Sequence, residues 1–282
     1  MEVLRRHPVK SMLGEAVDMA HVGGRGLGGD RVMAVLDTAT GKVASAKHPR
    51  LWRALLTVAA RTGPDGITLR LPDGTEQAVG AAAADRALCT LLGREVALIS
   101  DPPEDAELDR ATPEEVVDRG VDAEVTYRTG KLAAASPPGT FFDFAPLHLI
   151  TTATLDRIAA LSPSGRADAV RYRPNLVVRT PAVRTGGTGL PGSGFTENGW
   201  SGRRLAIGPS VRLEVQVTTP RCAVPTLAHG ELPGDTAALQ VLARHNRVPV
   251  LTLGELPCAG VYAQVLSGGV VRTGDPVRLL DG

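Results

Sequence analysis

The chain has 282 residues, 43% of them hydrophobic and 22% charged, and a formal net charge of +1. Nucleic-acid binding requires a basic face and often aromatic stacking surfaces, so this charge balance and the 3% aromatic content argue against nucleic acid as a main partner. The sequence has no apolar run long enough to span a membrane and no signal-peptide pattern, so we expect a cytoplasmic protein without a membrane partner.

The first hundred residues show the alternation of apolar and polar residues that is typical of short β-strands. Residues 67–71 and 76–79 flank a Pro-Asp-Gly-Thr turn signal and predict a β-hairpin. Residues 81–92 are rich in Ala and Leu, so they predict one helix, which ends at Gly93. Together these patterns predict an N-terminal β domain over residues 1–100.

Residues 101–140 differ in composition because they are acidic, polar and rich in proline. Thr112, Pro113 and Glu115 fit the N-cap, the first helical position and the reciprocal partner of a capping box, so one short helix is predicted here. Charge runs of this kind usually lie on solvated surfaces. We therefore interpret this stretch as an acidic connector and assign no chemistry to it.

A second unit, residues 141–282, is again dominated by strand patterns. Thr151 follows an apolar run at the start of an amphipathic helix pattern, where a hydroxyl can cap backbone N–H groups or hold an anion. Residues 204–217 predict a hairpin that leads the chain to Cys222, and residues 270–280 predict a last hairpin.

The three cysteines, Cys89, Cys222 and Cys258, are widely spaced and form no C-x-x-C pair, which argues against a disulfide framework, a zinc ribbon or a thioredoxin-like motif. Cys89 and Cys258 are interpreted as packing residues. Cys222 directly follows Arg221, and a neighbouring cation favours the thiolate, which binds soft metals. These two residues alone leave open that Cys222 is a small buried hydrophobic residue and that Arg221 points to solvent.

Six short pieces carry basic, hydroxyl, amide or thiol groups, mostly after predicted strand ends and next to turns. They are Val9-Lys10-Ser11, Asp30-Arg31, Ala44-Ser45-Ala46-Lys47, Arg173-Pro174-Asn175, Arg221-Cys222 and the terminal stretch Val271 to Leu280 with its Gly274-Asp275-Pro276-Val277. In their order and rough spacing the chain resembles MOSC-domain proteins, and more closely the subgroup with an N-terminal β-barrel extension, which includes the mitochondrial amidoxime-reducing component. The resemblance implies a mainly β fold with a few helices (α+β), in which a MOSC β-barrel core accompanies an N-terminal β-barrel-like domain.

The resemblance also implies a molybdenum cofactor, a pyranopterin dithiolene with a phosphate, held between the two β units. Cys222 matches the cysteine that ligates molybdenum, and Arg221 matches its basic neighbour. The positions expected to contact or lie near the cofactor are Lys10, Ser11, Arg31, Lys47, Thr151, Arg173 and Asn175. These residue types suit that role, because arginine and lysine bind phosphate and asparagine can both donate to and accept from a pterin ring.

The activity implied by the resemblance is that of an oxidoreductase that reduces small N-oxygenated compounds, such as N-hydroxylated amines, amidines or bases. Electrons would come from a separate haem, flavin or iron–sulfur protein. Two other functions stay open: a sulfur carrier or cofactor-delivery module that uses Cys222, and a non-catalytic binding protein with a degenerate pocket. Pro220 departs from the family pattern, which usually has a small polar residue before Arg221, and the Gly-rich stretch 186–194 has no counterpart in it.

Overall fold

A computed structural model of the chain describes residues 1–132, 137, 139–180 and 194–280. These residues form 19 strands and six α-helices, which confirms the predicted mainly β fold with a few helices. The Gly-rich stretch 186–194 lies outside the described residues except for Gly194. Within the described part of the chain, no helix is both long and apolar enough to cross a membrane.

The N-terminal part of the chain contains several small antiparallel sheets. Its strands are β1 (Val3–Arg6), β2 (Glu15–Ala16), β3 (Met19–Gly23), β4 (Gly26–Leu27), β5 (Ala34–Asp37), β6 (Ala59–Gly63), β7 (Gly66–Arg70), β8 (Glu76–Ala78) and β9 (Val96–Ile99), and its helices are α1 (Pro49–Trp52) and α2 (Ala82–Leu92). The predicted hairpin is β7–β8. Helix α2 ends as predicted at Gly93, whose φ of 63° is the left-handed conformation that glycine adopts most readily. Cys89 packs on α2 against the core formed around Leu69 and Leu88.

The segment from 101 to 132 forms a hairpin in addition to the predicted helix. The elements are β10 (Glu107–Ala111), α3 (Pro113–Arg119) and β11 (Tyr127–Lys131), and β10 pairs antiparallel with β11. Helix α3 begins at Pro113 as predicted, but the capping box was wrong. The Thr112 side chain makes no cap hydrogen bond, and Glu115 instead accepts hydrogen bonds from the backbone N–H and hydroxyl of Thr126. The hairpin supplies this competing partner by placing Thr126 beside the helix.

The C-terminal part of the chain builds the largest sheet. Its elements are β12 (Leu147–Thr151), α4 (Thr152–Leu161), α5 (Ala169–Tyr172), β13 (Leu176–Val178), β14 (Arg204–Ile207), β15 (Val211–Pro220), α6 (Ala237–His245), β16 (Arg247–Pro249), β17 (Glu255–Ser267), β18 (Gly269–Arg272) and β19 (Val277–Leu280). The strand order is β19-β14-β15-β17-β12-β13-β1-β2, with β16 paired to β17. The predicted hairpin β14–β15 is present.

The predicted last hairpin, residues 270–280, was wrong. Strand β18 pairs with β3 and β19 pairs with β14, so the two strands belong to different sheets. Val271 is fully buried beside Ala20 in the main core, and Leu279 lies opposite Leu205. Burial of Val271 in a core formed by distant strands therefore outweighs the short connection between β18 and β19.

Strand β1 joins the N-terminal segment to the large sheet, where Val3 and Leu4 pair with Val177 and Leu176 of β13. Leu4 and Leu176 are also fully buried in one hydrophobic core cluster. This pairing brings the turn after β1 next to the segment before β13. The end of β15 reaches the same region, which is where the functional groups meet.

Candidate functional site

A cavity lies where the turn after β1, the segment before β13 and the end of β15 meet. All of the predicted site residues except Thr151 line it: Lys10, Ser11, Arg31, Lys47, Arg173, Asn175, Arg221 and Cys222. Sequence reasoning missed several further lining residues: Phe142, Asp143, His148, Tyr172 and Tyr262. The fold therefore brings together side chains as far apart in the sequence as Lys10 and Tyr262.

Cys222 lies two residues after Pro220, the last residue of β15. The backbone N–H of Arg221 donates to the carbonyl of Pro257 at 2.8 Å, so the pairing of β15 with β17 continues up to the cysteine. Cys222 is partly buried and packs against a small apolar cluster that includes Leu56 and Val224. Cys222 thus contacts this apolar cluster and also lines the cavity.

The loop after Cys222 is held by a buried arginine, Arg171, which no sequence pattern identifies as functional. Arg171 is 4% exposed, and its guanidinium donates to the carbonyls of Pro225 at 3.4 Å, Leu227 at 3.0 Å and Pro233 at 2.6 Å. Buried carbonyl groups need such partners. Arg171 therefore acts as a clamp that fixes the backbone directly following Cys222.

The side chain of Arg221 is fixed by contacts within the protein. The sequence had left open that it points to solvent. Its Nη2 donates to the carbonyl of Tyr172 at 2.9 Å, and its guanidinium carbon lies 5.5 Å from the centroid of the Tyr172 ring. Its buried Nε has no hydrogen-bond partner within the described part of the chain. The positive charge of Arg221 is thus fixed beside the cavity next to Cys222.

Two lysines and one carboxylate form a compact ionic cluster in the cavity. Lys10 is 3% exposed, and its Nζ donates to Asp143 at 2.6 Å and to the carbonyl of Phe141 at 3.0 Å. Lys47 approaches the same oxygen of Asp143 at 3.3 Å. Burial lowers the pKa of Lys10 to about 8 despite this ion pair. Although burial opposes it, the charges of Lys10 and Lys47 hold the pKa of Asp143 well below its usual range.

Arg31 is held in the cavity by the buried carboxylate of Asp30. The Arg31 guanidinium donates to Asp30, and the backbone N–H of His7 donates to the other oxygen of that carboxylate at 2.6 Å. Burial opposes ionisation of Asp30, but the charge of Arg31 together with the interactions with His7 holds the pKa of this carboxyl well below its usual range. Asp30 therefore serves to position Arg31 from behind the cavity wall.

Arg173 is the least compensated of the buried cations. Its Nη2 is buried and has no hydrogen-bond partner among the described residues. Burial, followed by the nearby charge of Arg31, lowers the pKa of Arg173 to about 9. An unpaired buried donor is unfavourable, so this nitrogen points to a missing acceptor in the cavity.

Both the oxygen and the nitrogen of the Asn175 side-chain amide form hydrogen bonds with backbone groups. Its Oδ1 accepts from the N–H of His148 at 3.1 Å, and its Nδ2 donates to the carbonyl of Arg5 at 3.3 Å. An asparagine amide has two N–H groups, so one N–H is left for a ligand. The imidazole of His148 also lines the cavity, and burial lowers its pKa to about 3, so the ring is neutral at pH 7.

Backbone strain is concentrated around this cavity. Ser11, Arg31 and Arg173 adopt positive φ angles of 66°, 50° and 55°, a region that side chains other than glycine rarely occupy. All three line the cavity. Strained residues of this kind cluster at functional sites, where the surrounding structure holds them in place.

The lining of the cavity has an excess of positive charge. Its basic side chains are Lys10, Arg31, Lys47, Arg173 and Arg221. Asp143 is the one carboxylate in the lining described for this cavity, and Asp30 lies behind it. Excess buried charge is unfavourable without a counter-ion. The cavity is therefore suited to an anionic ligand with several oxygen atoms.

Thr151 lies outside the cavity lining. It is fully buried, its hydroxyl donates to Glu197 at 2.6 Å and accepts from the N–H of Thr154 at 3.1 Å. The structure thus gives Thr151 the capping role at the start of α4 that was one of the two sequence interpretations.

Cys258 is fully buried, and burial raises the pKa of its thiol to about 11.

A second cavity adjoins the first. The first encloses about 70 Å³ and the second about 530 Å³. Both are lined by Lys47, Asp143, Pro220, Arg221, Cys222 and Tyr262. Cys222 therefore lies in the wall between a small cationic cavity and a larger one with a mostly apolar lining. Among the described residues, no group of three or more His, Cys, Asp or Glu side chains could hold a metal ion.

Comparison with known proteins gives two family matches that cover most of the chain. The MOSC domain model matches residues 137–278, and the model of the MOSC N-terminal beta barrel domain matches residues 1–102. No curated protein matches the sequence.

Two solved structures are similar at low identity. The YUAD protein from Bacillus subtilis is 14% identical, with 98% of this chain and 92% of that chain covered and a TM-score of 0.43. YiiM from Geobacillus stearothermophilus is 17% identical, with 49% of this chain and 55% of that chain covered and a TM-score of 0.31.

Proposed function

The chain belongs to the MOSC-domain family, and from that premise we propose that it is a molybdenum-cofactor-dependent oxidoreductase that reduces N-hydroxylated compounds. The family is associated generally with binding of the molybdenum cofactor. The observation that carries the proposal is a single cavity in which the thiol of Cys222 meets five basic side chains and the unpartnered buried Nη2 of Arg173. This donor set matches a ligand that combines a soft metal with a phosphate.

The residues present fit such a cofactor in their chemistry. Cys222 would ligate the metal, the basic side chains would bind the phosphate, and Ser11 and the remaining N–H of Asn175 would contact the pterin. When bound, the cofactor would supply two-electron redox chemistry, which no side chain in the cavity provides by itself. Loss of molybdenum-dependent activity in the Cys222→Ala variant would support this assignment.

Asp143 has a specific part in the proposal. Its carboxylate takes the hydrogen bonds and charges of Lys10 and Lys47 that an anionic ligand would need. Its side chain is 29% exposed and borders the larger cavity, so it has space to withdraw. We infer that the ligand phosphate replaces Asp143 on the two lysines, which also enlarges the narrow first cavity.

In the proposed reaction a donor protein supplies the electrons, and the substrate oxygen leaves as water. An N-hydroxylated amine or amidine, two electrons and two protons give the reduced nitrogen compound and one water, as the N–O bond breaks. The electrons come from a separate haem, flavin or iron–sulfur protein. The chain itself contributes binding and positioning: Arg171 fixes the loop after Cys222, and Asp30 fixes Arg31.

The test is anaerobic reduction of N-hydroxybenzamidine by protein expressed with molybdate, with reduced methyl viologen as the electron donor. We expect turnover in the wild type, loss of turnover in Cys222→Ala and retention in Cys89→Ala, because Cys89 lies in neither cavity lining. Equal turnover in the Cys222→Ala variant would refute the assigned role of the cysteine. Sulfide released from Cys222 by dithiothreitol, in protein without turnover, would favour the sulfur-carrier alternative.

A further inference from the structure

The second cavity shows which substrates the site would accept, an inference that deepens the proposed function and rests on it. We propose that this cavity binds N-hydroxylated compounds in which an apolar body carries a carboxylate. Arg110 and Arg128 bind the carboxylate, the leucines of the cavity contact the body, and the N–O group lies at Cys222 in the shared wall.

The size and lining of the cavity suit an apolar body. Its volume of about 530 Å³ falls in the range of sites for small organic ligands. Its apolar lining includes Phe144, Val250, Leu251, Leu253, Leu256 and Tyr262. Leu251 and Leu253 are 66% and 65% exposed, although leucine side chains gain free energy on burial. A ligand in this cavity would cover both of them.

The turn that presents these leucines is strained and fixed. Leu251 has a φ of 48°, which is unfavourable for a branched side chain. The backbone N–H of Val250 donates to the carbonyl of Gly254 at 3.0 Å, and that of Leu253 donates to Val250 at 2.9 Å. These bonds hold Leu251 at the cavity, so the turn is a preformed edge of the site.

Two arginines face each other at the same cavity. Arg110 of β10 and Arg128 of β11 are direct cross-strand partners in the antiparallel pair, where like charges destabilise a sheet. Arg110 makes one long hydrogen bond, from Nη2 to the carbonyl of Lys131 at 3.4 Å. The side chain of Arg128 makes no hydrogen bond or ion pair with the described part of the chain. A carboxylate between the two guanidinium groups would relieve their repulsion and bind in bidentate fashion.

The other charges of the cavity are mostly neutralised. Lys131 pairs with Asp105 at 2.5 Å, and Lys47 pairs with Asp143 at 3.3 Å. Glu114 also lines the cavity as an exposed carboxylate, and Arg221 is fixed next to Cys222. Neither Arg110 nor Arg128 forms an ion pair with a described carboxylate, so both are placed to bind an acidic group of a ligand.

The binding test uses two probes of the same shape, biphenyl-4-carboxylate and biphenyl-4-carboxamide, titrated calorimetrically into the full-length protein expressed with molybdate. We expect the carboxylate to bind about tenfold more tightly, and this preference to vanish in the Arg110→Gln, Arg128→Gln double variant. Arg61→Gln, an exposed strand arginine outside both cavity linings, is the matched control and should keep it. The Arg128→Gln variant should also melt at a higher temperature, because it removes the cross-strand repulsion.

Equal binding of the two probes, or an unchanged preference in the double variant, would overturn the inference. A lower melting temperature for Arg128→Gln would likewise count against it, because the arginine would then serve the fold. A second arm compares kcat/KM for N-hydroxybenzamidine with a 4-carboxylate or a 4-carboxamide group. No turnover of either, with the binding preference intact, would refute the proposed function alone. Equal kcat/KM for both would refute the carboxylate site while the proposed function stands.

Discussion

The free energy of unfolding should rise with pH in the alkaline range because of Lys10. This side chain is 3% exposed, and burial lowers its pKa from 10.5 to about 8 even though Asp143 and its ion pair oppose the shift. Between these two pH values the unfolded chain holds a proton that the folded chain has released, so stability increases as the pH rises. The shift corresponds to about 3 kcal/mol, which is the cost of keeping the charged ammonium in the cavity at pH 7.

The assay is urea unfolding of the wild type and of Lys10→Met, both free of metal, at pH 7 and at pH 10.5. Other titrating groups are common to both proteins, so the difference between their free energies of unfolding isolates Lys10. We expect this difference, wild type minus variant, to increase by about 3 kcal/mol between the two pH values. A difference that stays constant within about 0.5 kcal/mol would refute the buried, destabilised ammonium.

Three further substitutions test other parts of the account. Arg171→Met removes the donors from three loop carbonyls. We expect the free energy of unfolding, measured by urea unfolding, to fall by about 3 kcal/mol, and a fall of less than about 1 kcal/mol would contradict the clamp. Thr151→Ala removes a helix cap and one donor to buried Glu197. We expect the free energy of unfolding to fall by about 1–2 kcal/mol and the molybdenum content of the purified protein to stay unchanged. A reduced molybdenum content would place Thr151 in the site. Asp143→Asn removes the anion that occupies two lysines, so pyrophosphate should bind about tenfold more tightly by calorimetry; equal affinity would contradict the anion site.

The sequence predicts best those parts of the site where chemistry lies on neighbouring residues at a strand end. Arg221 and Cys222 follow the long alternating pattern of β15, and Lys10 and Ser11 follow β1. Asp143 is different, because its local sequence carries no functional pattern. Its role arises only when the fold brings it to Lys10, 133 positions away.

The same limit applies to strand pairing and to capping. Nothing local shows that β18 leaves β19 and joins β3, because that choice depends on the burial of Val271 in a core formed by distant strands. The hydroxyl of Thr151 likewise has two possible uses in the sequence, and the buried carboxylate of Glu197 decides between them. Positions whose partners lie far along the chain are therefore the ones that sequence patterns do not fix.

The proposed cofactor site is tested most directly by measuring molybdenum and the fluorescence of oxidised pterin in purified protein expressed with molybdate. Wild type, Cys222→Ala and the control Cys89→Ala should be prepared side by side. We predict near-stoichiometric metal and pterin in the wild type and the control, and loss of molybdenum in Cys222→Ala. Absence of both metal and pterin from the wild type would contradict the account and favour a sulfur carrier or a degenerate pocket.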